Sequence, residues 1–169
     1  MEAVSPEPAP GVAASSRQQF REVLGHFSTG VVVVTASAPD GPAGMTCQSV
    51  VSLSLDPPLV LFCPAKSSTS WPRIRAAGHF CLNILAADQE AVCARFARSG
   101  GDKFAGLAVT AGTTGAPVLA GTLAHVEATL VAVHDGGAHE IAIGTVVDLS
   151  VRRDARPLVF YRGGFLPLS

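Results

Sequence analysis

Apolar positions recur along this chain with two different periods. In RQQFREVLGHF, Phe20, Val23, Leu24 and Phe27 fall at i, i+3, i+4 and i+7, the stripe of an amphipathic helix, with Ser15 or Ser16 placed to cap its start. Beyond Gly30 the period shortens. VVVVTA from Val31 is β-branched and bounded by Gly30 and the turn-rich APDGPAG, which predicts a strand entering a hairpin whose return carries GMTCQS. Pro57 and Pro58 cannot donate to a sheet ladder, so the strand before them stops and LVLFC opens a fresh one. WPRIRAAG and DQEAVCARFAR read as short helices on either side of the strand HFCLNIL, where His79, Cys81 and Asn83 alternate with Phe80, Leu82 and Ile84; Asp88 is the candidate cap of the second.

The longest alternation follows. From Thr122, residues Ala124, Val126, Ala128, Leu130 and Ala132 share one face, with His125, Glu127 and Thr129 on the other. HDGG turns the chain, HEIAIGTVVDLSV returns with His139, Ile141, Ile143, Thr145 and Val147 on one side, and PLVFYRGGF adds a last strand. Six or seven strands against three helices predict a mainly β fold, a closed or partly closed Greek-key barrel rather than a doubly wound α/β sheet.

Composition narrows the class. A chain of 169 residues favours one domain and buries roughly 70% of the surface it exposes when unfolded. Residues 1–16, MEAVSPEPAPGVAASS, are rich in Pro, Ala and Ser and lack the basic start and apolar run of a signal peptide; they are expected to be a disordered tail ahead of a folded domain at 17–169. No internal repeat is visible. The net charge of −1 and scattered arginines leave no footprint for a nucleic-acid backbone. No apolar stretch approaches the ~20 residues that span a bilayer, so a soluble, cytoplasmic protein without membrane contact is expected. Cys47, Cys63, Cys81 and Cys93 sit singly in apolar stretches with no C-x-x-C, which predicts reduced, buried thiols.

Several chemistries fall away. There is no G-x-G-x-x-G between strand and helix, no G-x-x-x-x-G-K-[ST] and no G-x-S-x-G. His139-Glu140 opens like H-E-x-x-H but has no second histidine and lies on a strand. His134, Asp135 and His139 flank one turn, where histidines more often face solvent or a ligand than a metal, and no metal site is assigned.

What remains is the segment GMTCQSVVSLSLDPPLVLFCPAKSSTSW, from Gly44 to Trp71. Its two strand-like runs each adjoin a cluster of small hydroxyls, and Ser and Thr hydroxyls, backbone N–H groups and the Lys66 ammonium together suit a phosphate. AKSSTSW also reads as a helix N-terminus, and one arrangement can both cap and bind an anion. The chain has only two lysines, Lys66 and Lys103. For GDKFAG, a helix stop at Gly100 or Gly101 and a pocket role for Lys103 and Phe104 weigh equally.

This segment resembles the short-chain flavin reductase family, the reductase components of two-component flavin-dependent monooxygenases, and the likeness runs from Phe20 to about Phe165. The resemblance implies a split-barrel, FMN-binding type of fold. It implies that Gly44, Met45, Thr46, Cys47, Gln48 and Ser49 lie against the flavin ring, with Cys47 where Ala is common. Lys66, Ser67, Ser68 and Ser70 would surround the phosphate, and Cys63, Pro64, Ala65 and Trp71, with Lys103 and Phe104, would complete the cofactor-binding set. His139, in GGAH where relatives carry a G-D-H-like turn, would stand near the nicotinamide as the catalytic candidate, and Tyr161 and Arg162 match an F-Y-R-G-like ending on the same side. Ala138 takes the place of the usual acidic residue.

The activity so implied is reduction of FMN or FAD by NADH or NADPH, with reduced flavin passed to a monooxygenase component, by a homodimer. No arginine stands out as a 2′-phosphate reader, which favours NADH. The alternatives are a non-enzymatic split-barrel module holding flavin or haem, and an oxidase with resident FMN.

Overall fold

The computed structural model describes residues 14–167, with side chains from Ser16. The first helix, α1 (Ala14–Gly25), contains Ser15 and Ser16 rather than being capped by them, and it starts ahead of the domain boundary expected at residue 17. The rest of the expected tail lies outside the described residues.

Twelve strands follow, and seven of them build the main sheet: β2 (Val32–Ala38), β3 (Gly41–Cys47), β4 (Val50–Leu55), β5 (Pro58–Phe62), β6 (His79–Ile84), β9 (Ala124–Gly136) and β10 (His139–Val151). Their order is β3-β2-β6-β9-β10-β5-β4, antiparallel throughout. The β9–β10 hairpin thus inserts between β6 and β5, a Greek-key arrangement. The two outermost strands, β3 and β4, are consecutive in the chain and joined by Gln48 and Ser49 alone, so the sheet curls into a barrel split along that seam.

Each tight turn sits where the sequence marks it. Ala38 pairs with Gly41 across Pro39–Asp40, Leu55 with Pro58 across Asp56–Pro57, and Gly136 with His139 across Gly137–Ala138. Gly137 adopts φ +79°, which a side chain disfavours, and its N–H is held by the Asp135 carboxylate at 2.9 Å.

One apolar cluster fills the barrel: Val32, Val34 and Ala36 of β2 meet Met45 and Cys47 of β3, Phe62 of β5 and Phe80 and Leu82 of β6. Helix α2 (Trp71–Ala77) sends Trp71 and Ile74 into the same interior, with the Trp71 ring edge-on to Phe62 at 5.5 Å. Gly144 is small by necessity, because a Cβ there would lie 2.6 Å from the Phe80 ring. On the other side of β2, Val31, Val33, Leu85 and Leu119 form a second cluster under helix α3 (Glu90–Ala97), with Cys93 and Phe96.

Two short sheets complete the fold: β1 (Thr29–Gly30) with β11 (Val159–Tyr161) and β12 (Gly164–Phe165), and β7 (Val109–Ala111) with β8 (Pro117–Leu119). Asn83, fully buried, ties β8 to the barrel: its amide donates to Val33 O and Thr35 Oγ1 at 3.1 and 3.0 Å and accepts from Leu119 N at 2.8 Å.

The simple alternation expected on β9 and β10 breaks twice. Ile143 faces Ala132 but Gly144 faces Leu130, which leaves Val131 as an extra residue; Val146 faces Ala128 but Asp148 faces Glu127, which leaves Val147 extra. Past the first bulge the inward residue is Val133, not Ala132.

The apolar stripe of α1 finds no core. Phe20, Val23, Leu24 and Phe27 are all more than half exposed, as are Leu55, Val131, Leu149 and Val151 on the barrel wall.

Candidate functional site

Three segments far apart in sequence converge beside β3. Helix α3 lies directly on the strand because Gly44 has no side chain: a Cβ at that position would come 2.5 Å from Phe96 Cε1. Thr46 Oγ1 fastens the contact by donating to the Cys93 carbonyl at 2.7 Å. The loop before α2 crosses the same place, with Ser68 Oγ accepting from Trp71 N at 3.3 Å and resting 3.7 Å from Met45 Sδ. Between strand, loop and the end of α3 is a cavity of about 250 Å³ walled by Met45, Thr46, Ala65, Ser67, Ser68, Thr69, Phe96, Ala97, Arg98, Ser99 and Lys103. A groove of about 570 Å³ adjoins it through the shared Thr69 and Lys103, and adds Asp40, Gly44, Ser70, Arg73 and Phe104.

Several residues of the expected set also hold the scaffold together. Trp71 is 2% exposed, inside the barrel, and its indole N–H donates to Glu140, which also takes Arg75 at 3.0 Å. Cys47 and Pro64 are buried, and desolvation raises the Cys47 thiol pKa above its ordinary value. Ser70 occupies the N-cap position of α2 without capping it; the hydroxyl of Ser68 does that work. Ser70 Oγ receives Lys103 Nζ at 3.1 Å, and the same ammonium donates to Gly44 O at 3.1 Å and Phe96 O at 3.3 Å. All three of its donors are thereby spent on protein oxygens. Burial, with Arg73 nearby, holds its pKa below the usual lysine value. Lys66 is engaged too, with Asp135 at 2.5 Å.

The rest of the expected set lies along one path. From Met45 and Thr46 at the cavity, the chain runs through Gln48 and Ser49 at the seam into an apolar groove of about 670 Å³ that also contains Leu24, Phe27, Cys63, Phe160 and Arg162. Ser49 and Cys63 hold this rim, with Cys63 N donating to Ser49 O at 3.2 Å. Arg162 adopts a left-handed φ of 48° and its N–H donates to Gly25 O, which anchors the end of α1. Tyr161 packs edge-on to His26 rather than lining the groove. His139 is exposed at the start of β10, paired across the ladder with Ala65; Lys66 N reaches Ala138 O and Glu140 N reaches Pro64 O, each at 3.0 Å. It belongs to the phosphate-side loop by position but lines neither the cavity nor the grooves described.

Sequence reading misses Thr69, within AKSSTSW, and Phe96, Ala97, Arg98 and Ser99 as walls of the cavity; the signal of the last four is the R-F-A-R-S run that precedes GGDKFAG. It also misses a polar cluster at His125, Glu127 and Asp148, which the second bulge assembles by setting Asp148 opposite Glu127. Glu127, wholly buried, accepts from Thr113 N, Thr114 N and Thr114 Oγ1 at 2.9, 2.8 and 2.5 Å, so it anchors the loop between β7 and β8.

A family model described as a flavin reductase like domain matches residues 24–169. The chain belongs to this flavin reductase family. It is 48% identical to the reductase subunit HsaB of a flavin-dependent monooxygenase from Rhodococcus jostii, over 98% of this chain and 85% of that one. It is likewise 48% identical to the FMN reductase (NADH) SmoA of Agrobacterium fabrum, covering 88% and 84%. Among solved structures, nitrilotriacetate monooxygenase component B from Mycobacterium thermoresistibile superimposes with a TM-score of 0.88 at 47% identity, covering 92% and 88%. The Streptomyces globisporus NADH:FAD oxidoreductase SgcE6 in complex with NAD and FAD fragments gives 0.86 at 36%, covering 95% and 98%. The mainly β split barrel expected from the sequence is therefore the fold of this reductase family. No helix among the described residues is long and apolar enough to cross a membrane.

Proposed function

We propose that this protein is the NADH:flavin oxidoreductase of a two-component monooxygenase, taking FMN or FAD as a substrate and releasing it reduced. The observation that carries this reading is the continuity of one strand end: Met45 and Thr46 wall a hydroxyl-lined cavity sized for a phosphate and ribityl chain, and Gln48 and Ser49 open onto an apolar groove suited to a flat ring. The donor set fits a phosphorylated flavin. Ser67, Ser68 and Thr69 offer hydroxyls to an anion, Gln48 and Ser49 line the groove meant for the ring, and Phe27 and Phe160 supply its apolar walls.

Bound flavin supplies the hydride acceptor, and the nicotinamide the donor. Such a transfer needs no side-chain acid or base at its centre, so this chain's contribution is to hold two flat rings in register and keep water away. Arg162 is exposed and lines the ring groove, which suits the nicotinamide side that the resemblance gives it; His139 is exposed on the phosphate-side loop beside Ala65, and its part in meeting the second nucleotide rests on the resemblance alone. Contacts through small hydroxyls and main chain keep affinity modest, which a protein that must surrender reduced flavin requires. The relatives named as NADH-dependent and the lack of an obvious 2′-phosphate reader both favour NADH.

The test is a steady-state assay with each flavin at fixed NADH and then NADPH. Flavin is expected to behave as a saturable substrate, with NADH the better donor. Purified protein that binds flavin through gel filtration yet leaves NADH oxidation unaccelerated is a carrier, and the reading fails.

A further inference from the structure

We infer that Arg98, not either lysine, is the cation that holds the flavin phosphate and so makes the site selective for phosphorylated flavins over riboflavin. The inference rests on the flavin reading above and adds a residue to it. Both lysines in the chain are already committed, Lys66 to Asp135 and Lys103 to Gly44 O, Ser70 Oγ and Phe96 O. An anion entering the cavity gains no free donor from Lys103, and Lys66 is not among the cavity's walls.

Arg98 is. It follows α3 directly, in extended conformation at φ −81° and ψ 154°, and it walls the cavity together with Ser99, opposite Ser67, Ser68 and Thr69. Among the described residues, the lysine and arginine ion pairs occupy Lys66, Arg73, Arg75 and Arg153, and Arg98 has no carboxylate partner among them. A guanidinium presents a planar fork that matches phosphate oxygens two at a time. Lys103 then acts on the same site as a staple: by gathering β3, the start of α2 and the end of α3 around one ammonium, it fixes the bend from which Arg98 projects.

The experiment compares dissociation constants for FMN and riboflavin, followed by quenching of flavin fluorescence without NADH. In Arg98→Ala, FMN binding is expected to weaken roughly ten- to hundredfold, the loss of one or two charge-assisted hydrogen bonds, with riboflavin changed less than about twofold. Arg98→Lys should recover part of the loss, and Lys66→Ala should leave the FMN-to-riboflavin ratio untouched. Arg98 is exposed, so the thermal midpoint of the variant should match that of the parent. Equal weakening of both flavins, or an unchanged preference for FMN, overturns the assignment while leaving the reductase reading intact. Parent protein that binds neither flavin overturns both.

Discussion

At the scale of single residues, the site is shaped by which polar groups are left over once the fold has used the rest. Lys103 and Trp71 carry the right functional groups in the right segment, yet their donors end on Ser70, two carbonyls and Glu140. Sequence spacing shows that a donor is near a site; it does not show which acceptor consumes it, because that depends on contacts between α2, α3 and β10. The thiols were legible in part: Cys47, Cys81 and Cys93 are buried as expected, whereas Cys63 is only half-buried at the rim of the seam. Cys81, expected to be buried, is fully enclosed, and desolvation with Glu127 nearby pushes its pKa from 9.0 to about 12. The folded protein therefore keeps a proton that the unfolded chain releases, so this group's stabilisation is complete below pH 9.0 and is lost progressively as pH rises towards 12. Thermal midpoints measured from about pH 8 to 11 should fall less steeply in Cys81→Ala than in the parent; identical slopes would mean that Cys81 titrates normally.

Among elements, hairpins and helices are readable because each carries local chemistry: Pro39–Asp40, Asp56–Pro57 and Gly137–Ala138 mark the turns, and Gly78 ends α2 with a left-handed φ of 71°. The bulges at Val131 and Val147 are not, since both are ordinary β-branched residues and the offset arises from how two long strands twist around the barrel. The docking of α2 is equally non-local. Its Trp71 and Arg75 are both held by Glu140, 65 or more residues away on β10, with the carboxylate largely buried. Removing that carboxylate in Glu140→Ala leaves a buried indole N–H unpaired and should cost about 2–4 kcal/mol in urea unfolding. A cost near zero would show that α2 is seated by Trp71 packing alone.

For the whole molecule, the sequence predicts a barrel but not how much of its apolar surface stays outside. The α1 stripe has correct helical spacing yet stays more than half exposed among the described residues, and Leu149 and Val151 continue an apolar wall on β10. Exposure on that scale is what the homodimer implied by the family resemblance would cover, each copy shielding the other's α1 and barrel wall. Replacing both Leu149 and Val151 with lysine should shift sedimentation from dimer to monomer with the fold intact by circular dichroism; a parent protein already monomeric at micromolar concentration would refute the assembly. The seam between β3 and β4 has a separate consequence. Covalent chain, not a ladder of amides, spans that gap, and the two residues that bridge it, Gln48 and Ser49, line the ring groove. On the reading proposed above, a planar guest lies against this edge, outside the packed interior, and its arrival and departure require no interstrand pair to unzip.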